Sequence, residues 1–420
     1  MKNYYIRIMD DVLKEELDAF GAVLVTGPKW CGKTTTAEQL AKSVLYMQQP
    51  DKKEGYLELA KLQPSLLLQG DAPRLIDEWQ MAPELWDAIR FDIDQKGTEG
   101  IYILTGSTVV DESKISHSGT GRISRLLMRT MSLFESKDSN GTVSLGDLFA
   151  GKTDIGSKSS LTINDIAKLI VRGGFPNSLN KSEKIVNRQI AGYCDVVANY
   201  DISSVDGVRR DSKRTKTIMK SYARHIGTQA SNSTILADIK SNNETMELKT
   251  LASYLLALEK LFVIEDLPAW SPQLRSKTAI RTSHTRHFID PAIAVRMLDA
   301  NSEDLLFDLK TMGFLFESLV VRDLRIYSQT IDGSIFHYRD KTGLEADAII
   351  HLSNGRWGAI EVKLGQERVE EGAKNLLKLS SKIDDSKMNK PSFLAVITGS
   401  EFAYKRDDGV LVIPIGCLKP

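Results

Sequence analysis

The sequence predicts an α/β fold with two sheet-bearing parts, and three observations carry that prediction. A short apolar run, Ala22-Val23-Leu24-Val25-Thr26, ends in a glycine-bounded turn that leads into a helical pattern. Apolar runs follow at Leu75-Ile76-Asp77 and Ile101-Tyr102-Ile103-Leu104-Thr105. Runs of this kind suit parallel strands buried on both faces of an open, helix-covered sheet. Near the other end, a helical pattern from about Gly313 leads into strand patterns over 335–338, 347–351 and 357–362, a second α/β unit.

Between these points the reading goes element by element. A helix is expected over 34–43, and Leu66-Leu67-Leu68 is a further strand candidate. Residues 136–160 are rich in Ser, Gly, Lys and Asp and read as a loop or poorly ordered excursion. Helical periodicity covers 161–205, interrupted by Gly173-Gly174-Phe175-Pro176. Over 205–225, Arg209, Arg210, Lys213, Arg214, Lys216, Lys220 and Arg224 oppose only Asp206 and Asp211, a net charge of +5. Two short helices are expected at 233–239 and 248–258, with a strand at Phe262-Val263-Ile264. The expected division is a first α/β domain over 1–160, a helical lid over 161–206, a winged-helix-like domain over 207–272 and the second α/β domain over 273–420.

Composition narrows the function classes. The 420 residues are 42% hydrophobic and 26% charged, which argues against disorder, collagen-like repeats and a simple coiled coil. Lys plus Arg and Asp plus Glu are both 55, so a globally basic nucleic-acid coat is excluded while a local basic patch is not. Cys31, Cys194 and Cys417 are too few and too scattered for a disulfide framework or a zinc site. The N-terminus turns acidic where a signal peptide needs an apolar run, and no uncharged apolar stretch reaches the ~20 residues of a bilayer span. A cytoplasmic protein with no membrane partner is expected.

The motif with the most chemistry is Gly27-Pro28-Lys29-Trp30-Cys31-Gly32-Lys33-Thr34, a full match to G-x-x-x-x-G-K-[ST] followed by Thr35. Its context is the required one, strand before and helix after. Backbone N–H groups of such a loop wrap phosphates, and the helix N-terminus adds its positive end. Lys33 is expected to reach the β- and γ-phosphates of ATP, with the Thr34 hydroxyl helping to hold Mg²⁺. Asp77 ends a buried strand and is the expected second Mg²⁺ residue, while the adjacent Glu78 is placed to deprotonate the attacking water. Thr105, in Thr105-Gly106-Ser107 at the end of the next strand, is the candidate sensor of the γ-phosphate or water. Arg122, after a Ser/Gly/His stretch, is the candidate finger offered to a neighbouring copy's site, ahead of Arg125 and Arg129. That role implies a homo-oligomer. Trp30 and Trp79 flank these motifs and are read as packing on the base or on each other.

With these residues in view, the chain resembles the AAA-type P-loop ATPases of bacteria and archaea that carry a C-terminal domain of unknown function. The resemblance rests on GPKWCGKTTTA, LIDEWQ, ILTGS, GRISRLLMRTMSLFE, GGFP, SYLLALEKLFVIEDLPAW and RHFIDPAIA, and covers nearly the whole chain. It implies nucleotide and Mg²⁺ binding at Lys33 and Thr34, with Asp77 and Glu78 as the second acidic box. The family commonly has Pro before Leu-Ser after the arginines, where this chain has Met131-Ser132-Leu133.

Residues 215–270 look like a winged helix, with a wing at 261–268 and the basic stretch just before it placed to meet DNA phosphates. Such modules also serve as protein–protein units, and the expected second helix, 246–260, mixes Glu247 and Glu259 with Lys249 and Lys260. In the C-terminal part, Asp347 opens one strand and Glu361-Val362-Lys363 lies on the next. Glu361 and Lys363, two apart, project on one face of their strand. Two carboxylates and a lysine can hold a divalent ion and stabilise charge in phosphodiester cleavage, and Glu317 from the preceding helix can complete the set. This D…E-x-K arrangement resembles the restriction-endonuclease-like fold, although Ala346 precedes the Asp where Pro is usual. The alternative is a solvated hairpin with an exposed ion pair.

The function expected is an ATP-binding, ATP-hydrolysing P-loop protein that couples nucleotide state to a winged-helix and nuclease-like module acting on or binding DNA. The alternative is an ATP-dependent regulatory switch that binds a protein partner and carries an inert C-terminal fold.

Overall fold

A computed structural model describes residues 4–107, 118–241, 245–272, 283–384, 386 and 388–420. The chain divides into two compact units. One contains Met1–Thr130, Asp201–Arg209 and Ala257–Val263; the other contains Met131–Tyr200, Arg210–Leu256 and Ile264–Pro420.

The first unit is built on β1 (Ala22–Thr26), β2 (Ser43–Tyr46), β3 (Arg74–Asp77), β4 (Tyr102–Gly106) and β5 (Ile123–Leu127). All pairings are parallel, in the order β2-β3-β4-β1-β5. The inner strands β1 and β4 are buried on both faces and are apolar for most of their length, with alternate residues serving opposite sides. Leu24, Ile76 and Leu104 pack with Trp79, Trp86 and Ile89 on one side. Val23, Val25, Leu75 and Ile103 pack with Leu13, Leu17 and Leu126 on the other. The register matters for function. β4 lies between β1 and β3, with Thr105 level with Val25 on one neighbour and Asp77 on the other.

Two strand-level expectations change. Leu66-Leu67-Leu68 is not a strand: Pro64, which has no N–H to donate to a ladder, opens a 3-10 turn over Pro64–Leu66, and Leu67 and Leu68 enter the core from that turn. The helix after the loop stops at Leu40, and Ser43–Tyr46 is the edge strand β2. Its burial pattern is mixed, and it has too few apolar residues to announce itself.

In the second unit the 136–160 segment is tied into the sheets. Its β6 (Val143–Ser144) and β7 (Ser157–Lys158) are two-residue strands. The Ser139 hydroxyl donates to the Leu418 carbonyl at 2.6 Å, and Asn140 N donates to the Gly416 carbonyl at 2.8 Å. These partners lie 279 and 276 residues away in sequence, which is why local composition read the segment as a loop.

The main sheet of this unit adds β8 (Gly333–Arg339), β9 (Glu345–Leu352), β10 (Trp357–Lys363), β11 (Phe393–Thr398), β12 (Phe402–Lys405) and β13 (Leu411–Pro414), in the order β7-β12-β13-β11-β10-β9-β8. β14 (Leu418–Lys419) pairs with β6. β8, β9 and β10 form an antiparallel meander. β10 and β11 are parallel, so their connection must cross over, and the helix Val369–Lys382 supplies the crossover. That helix packs Val369, Ala373, Leu376 and Leu379 onto Ile349, Trp357, Ala359 and Val396. The helix Leu309–Ser328 precedes the meander.

The helices expected in the middle of the sequence are present at Ile163–Arg172, Glu183–Val196, Ser212–Arg224, Asn232–Ser241 and Leu248–Lys260. In place of a wing strand there are two isolated bridges, Ile264 to Phe288 and Leu267 to Thr285.

Three of the quoted motifs, RHFIDPAIA, GGFP and GRISRLLMRTMSLFE, meet at a buried ionic cluster. Arg322 contacts Asp290 at 3.2 Å and Asp323 at 2.8 Å, and the three side chains are at most 2% exposed. Asp290 also accepts from Gly174 N at 2.8 Å, and Asp323 from Leu133 N at 2.9 Å. A Cβ on Gly174 would lie 2.1 Å from the Met131 carbonyl oxygen, so GGFP keeps its glycine there for the close approach. Arg322→Met should destabilise the protein by about 3–5 kcal/mol, because it leaves two buried carboxylates without their cation. A thermal or denaturant midpoint unchanged from wild type would contradict this.

Candidate functional site

The phosphate-binding loop joins β1 to the helix Lys33–Leu40. Its shape demands its glycines. Gly27 has φ 147°, and a Cβ there would sit 2.1 Å from the Met128 carbonyl oxygen. Gly32 has φ 102° and forms the N-cap of the helix. Gly27→Ala should therefore distort the loop at a cost of ~1–3 kcal/mol and weaken nucleotide binding by at least ~10-fold, read by titration with a fluorescent ATP analogue.

Lys33, buried, folds back on the loop. Its Nζ donates to the carbonyls of Gly27 at 2.9 Å and Pro28 at 2.8 Å. Cys31 is buried, its Sγ 3.5 Å from the Met128 carbonyl oxygen, and Pro28 is buried too. Thr35 is exposed, and its carbonyl accepts from Gln39. Lys29 makes an ion pair with Asp201 at 2.7 Å. Trp30 stands 48% exposed at φ 68°. Trp79 is buried on Trp86, with ring centroids 4.9 Å apart.

Asp77 stands where the sheet register puts it, at the end of β3 beside the end of β4. Its Oδ1 accepts from the Thr34 hydroxyl at 2.7 Å and from the Thr105 hydroxyl at 2.6 Å. One carboxylate oxygen thus joins the loop, the acid box and the candidate sensor. Glu78 follows in the left-handed region at φ 56°, a costly conformation for a residue with a Cβ, and its N–H points to Thr105 Oγ1 at 3.4 Å. Glu78 Oε2 accepts from Gln80 Nε2, and the Ser107 hydroxyl lies 3.5 Å away.

The arginines separate. Arg122 is half-exposed, with Nε on Asp94 at 2.8 Å and a guanidinium nitrogen on the Thr120 carbonyl at 3.3 Å. Arg125 lies on β5, its guanidinium 5.5 Å from the Trp86 ring centre. The Arg129 carbonyl accepts from Arg7. The Ser/Gly/His stretch before Gly121 lies in part outside the described residues. Sequence reading missed two residues. Gln80 holds Glu78. Arg7, 4% exposed, donates to the carbonyls of Cys31 at 2.7 Å and Arg129 at 2.9 Å, bracing the loop from a point 24 residues upstream.

The C-terminal set also comes together. Glu317, Asp347 and Lys363 line one cleft of about 700 Å³, together with Lys310, Arg339 and Arg368. Glu361 and Asp347 lie one position beyond the last paired residues, Ile360 and Ala348. There the Asp347 carboxylate takes the Val362 N–H at 2.7 Å. Lys363 Nζ is 2.5 Å from Glu361 and 3.7 Å from Asp347. Burial and then the neighbouring Asp347 push Glu361 up to about 8, and the same two causes hold Glu317 well above the carboxylate range. Burial works against the Lys363 charge, but Asp347 and Glu361 keep its ammonium firmly protonated. Among the described residues, no group of three His, Cys, Asp or Glu side chains is arranged to hold a metal ion.

Three of the seven cations in the basic stretch are paired with acids from outside it. Lys216 pairs with Asp195 at 2.6 Å, Lys220 with Asp299 at 3.1 Å and Arg224 with Asp238 at 2.6 Å. Arg210 is buried, donating to Ser253.

Residues 19–137 match a family model described as an AAA domain. Residues 163–304 and 312–418 match two described as domains of unknown function, DUF8612 and DUF4143. No curated protein sequence matches the chain significantly. Among solved structures, the chain is similar to the Walker-type ATPase paby2304 of Pyrococcus abyssi, at 14% identity over 70% of this chain and 96% of that one, with a TM-score of 0.42. It is also similar to a point variant of RuvB of Thermotoga maritima, at 17% identity over 62% and 86% with a TM-score of 0.25. The FIGL-1 AAA domain in complex with ADP gives 14% over 61% and 85%, with a TM-score of 0.24. The parallel sheet, the loop and the family match together support an AAA-type P-loop domain over residues 19–137, and with it ATP binding there. Among the described residues, no helix is long and apolar enough to cross a membrane.

Proposed function

We propose that the chain hydrolyses ATP with Mg²⁺ and relays its nucleotide state to a C-terminal module that acts on or binds DNA. The observation that carries the ATPase reading is the Asp77 carboxylate receiving hydroxyls from both Thr34 and Thr105. Thr34 Oγ1 and the Asp77 carboxylate are hard oxygen donors that suit Mg²⁺, which when bound supplies neutralising charge at the phosphate oxygens. Lys33 leaves the Gly27 and Pro28 carbonyls for the β- and γ-phosphates. Glu78 takes a proton from water, and Thr105 aligns Asp77 with the γ-phosphate. Arg122 is the finger candidate for a neighbouring copy, since its exposed pair with Asp94 is weakly held.

The helices over 161–206 are the proposed lid and relay, and 207–272 the winged-helix-like part. For the C-terminal unit, support for a nuclease-like reading comes from Glu317, Asp347 and Lys363 sharing one cleft, with Glu361 paired to Lys363. The oxygen donors of Asp347 and Glu361 suit a divalent cation by type. As they stand both acids share the single Lys363 ammonium. That ion pair, with Lys216, Lys220 and Arg224 already engaged by acids, favours a second reading: a nucleotide switch that binds a protein partner and carries an inert C-terminal fold.

ATP turnover with and without duplex and single-stranded DNA, beside Lys33→Ala, separates the two. Stimulation by DNA that falls steeply with salt supports the first reading. Turnover indifferent to DNA supports the second.

A further inference from the structure

Lys29 is a second lysine inside the phosphate loop, and its ammonium is spent on a carboxylate 172 residues further along the chain. Its Nζ lies 2.7 Å from Asp201 Oδ1. The two ends of the pair differ. The Lys29 side chain is 42% exposed, while that of Asp201 is 11% exposed. Among the described residues the Asp201 carboxylate has no other hydrogen-bond or ion-pair partner. Both residues belong to the first unit. The place of Lys29 in the loop follows from its neighbour. Lys33 Nζ sits 2.8 Å from the Pro28 carbonyl oxygen, and that carbonyl carbon is bonded to the Lys29 nitrogen. Lys29 therefore leaves the backbone next to the lysine assigned to the β- and γ-phosphates, on a flexible four-carbon stem.

Asp201 has a particular position too. It ends a π-helical turn, Val197–Asp201, which follows the helix Glu183–Val196 and precedes Ile202–Ser204. Such turns are rare and recur at functional positions. Exchanging their i→i+5 hydrogen bonds for the i→i+4 bonds of the flanking helix rotates the residues they carry, so the turn is an element with two arrangements.

We propose that Lys29 tells ATP from ADP and that Asp201 passes the difference on. The ammonium exchanges the Asp201 carboxylate for the γ-phosphate of ATP, and the freed Asp201 draws the π turn out of its wide register. This rests on ATP binding in the loop, as read above, and not on its hydrolysis. The γ-phosphate carries more charge than one carboxylate, so it wins the ammonium. ADP ends one phosphate short and leaves the ammonium on Asp201. A largely buried carboxylate that loses its cation is strongly penalised, so the segment carrying it moves toward water. A ligand shifts a two-state element only as far as it contacts the two states differently. Here the differing contact is the Lys29 ammonium.

The test is titration of the full chain with ADP and with a non-hydrolysable ATP analogue, for wild type, Lys29→Met and Asp201→Asn. In Lys29→Met the analogue binds ~10-fold more weakly, while ADP affinity stays within about 3-fold of wild type. Asp201→Asn is isosteric and leaves no buried charge behind. There the analogue binds ~5-fold more tightly, because the ammonium no longer has to leave a carboxylate, and ADP affinity again holds. Hydrogen exchange over 197–204 in wild type is faster with the analogue than with ADP, and in Asp201→Asn it is the same with both. If Lys29→Met weakens both nucleotides alike, or neither, Lys29 does not read the γ-phosphate and the proposal is overturned. If Lys29→Met misfolds, Asp201→Asn decides alone, and an unchanged ratio of the two affinities overturns it. Equal exchange with the two nucleotides in wild type overturns it as well. A wild-type chain that binds neither nucleotide overturns the ATP-binding reading and this proposal with it.

Discussion

Lys33→Ala is expected to raise the dissociation constant for ATP by ~10²–10³-fold and to remove measurable hydrolysis. The size follows from what the ammonium does. It now spends its hydrogens on two carbonyls of its own loop, Gly27 at 2.9 Å and Pro28 at 2.8 Å. Those neutral contacts are exchanged on binding for phosphate oxygens, where each charge-assisted bond contributes about 1.5–3 kcal/mol. Two such bonds, less the contacts given up, come to about 3–4 kcal/mol, which is the stated change in affinity. The variant should still fold. The truncated side chain lies at the N-terminus of a helix, and the loop stays braced by Arg7 on the Cys31 carbonyl and by Gly27 against Met128. Titration with a fluorescent ATP analogue, alongside the thermal midpoint, checks both halves. An affinity within about 3-fold of wild type would mean that the triphosphate is held elsewhere.

What could be read in advance divides by range along the chain. The loop, its strand and its helix are contiguous, so one stretch of residues specified both the motif and its context. Asp77 and Thr105 were legible because each ends an apolar strand, and parallel order brings such ends together. The link through one Asp77 oxygen required the register that sets Thr105 between β1 and β3. Arg7 and Gln80 carried no pattern of their own. Arg7 reads as one more charge ahead of a helix, and its role depends on carbonyls 24 and 122 residues away. The C-terminal residues were found from a spacing of two along one strand and an acid on the next. That the Lys363 ammonium sits on Glu361 depends on side-chain reach, which spacing does not report. The basic stretch shows the same limit in reverse. Counting gave seven cations against two acids, but Asp195, Asp238 and Asp299 come from other segments to pair with Lys216, Arg224 and Lys220. A local charge count is blind to partners that only the fold supplies.

Glu78→Gln should separate binding from chemistry: kcat falls by ~10²–10⁴-fold while nucleotide affinity stays within a few-fold. The substitution is isosteric and keeps the Cβ, so the φ of 56° costs the same in both proteins. The amide oxygen can still accept from Gln80 Nε2, which holds the side chain where the carboxylate was. What it loses is basicity, because an amide cannot take the proton of the attacking water. The loop, Lys33 and the Asp77 pair with Thr34 are untouched, so the triphosphate should bind and remain uncleaved. Single-turnover assay with radiolabelled ATP reads this directly as label retained in ATP on the protein. Turnover close to wild type would place the base elsewhere. Weakened binding in step with lost turnover would show that Glu78 supports the nucleotide rather than the water. The contrast with Lys33→Ala is the informative part, since one variant should empty the site and the other should leave it filled. Only that pair of outcomes assigns phosphate binding to the loop and proton transfer to the acid box.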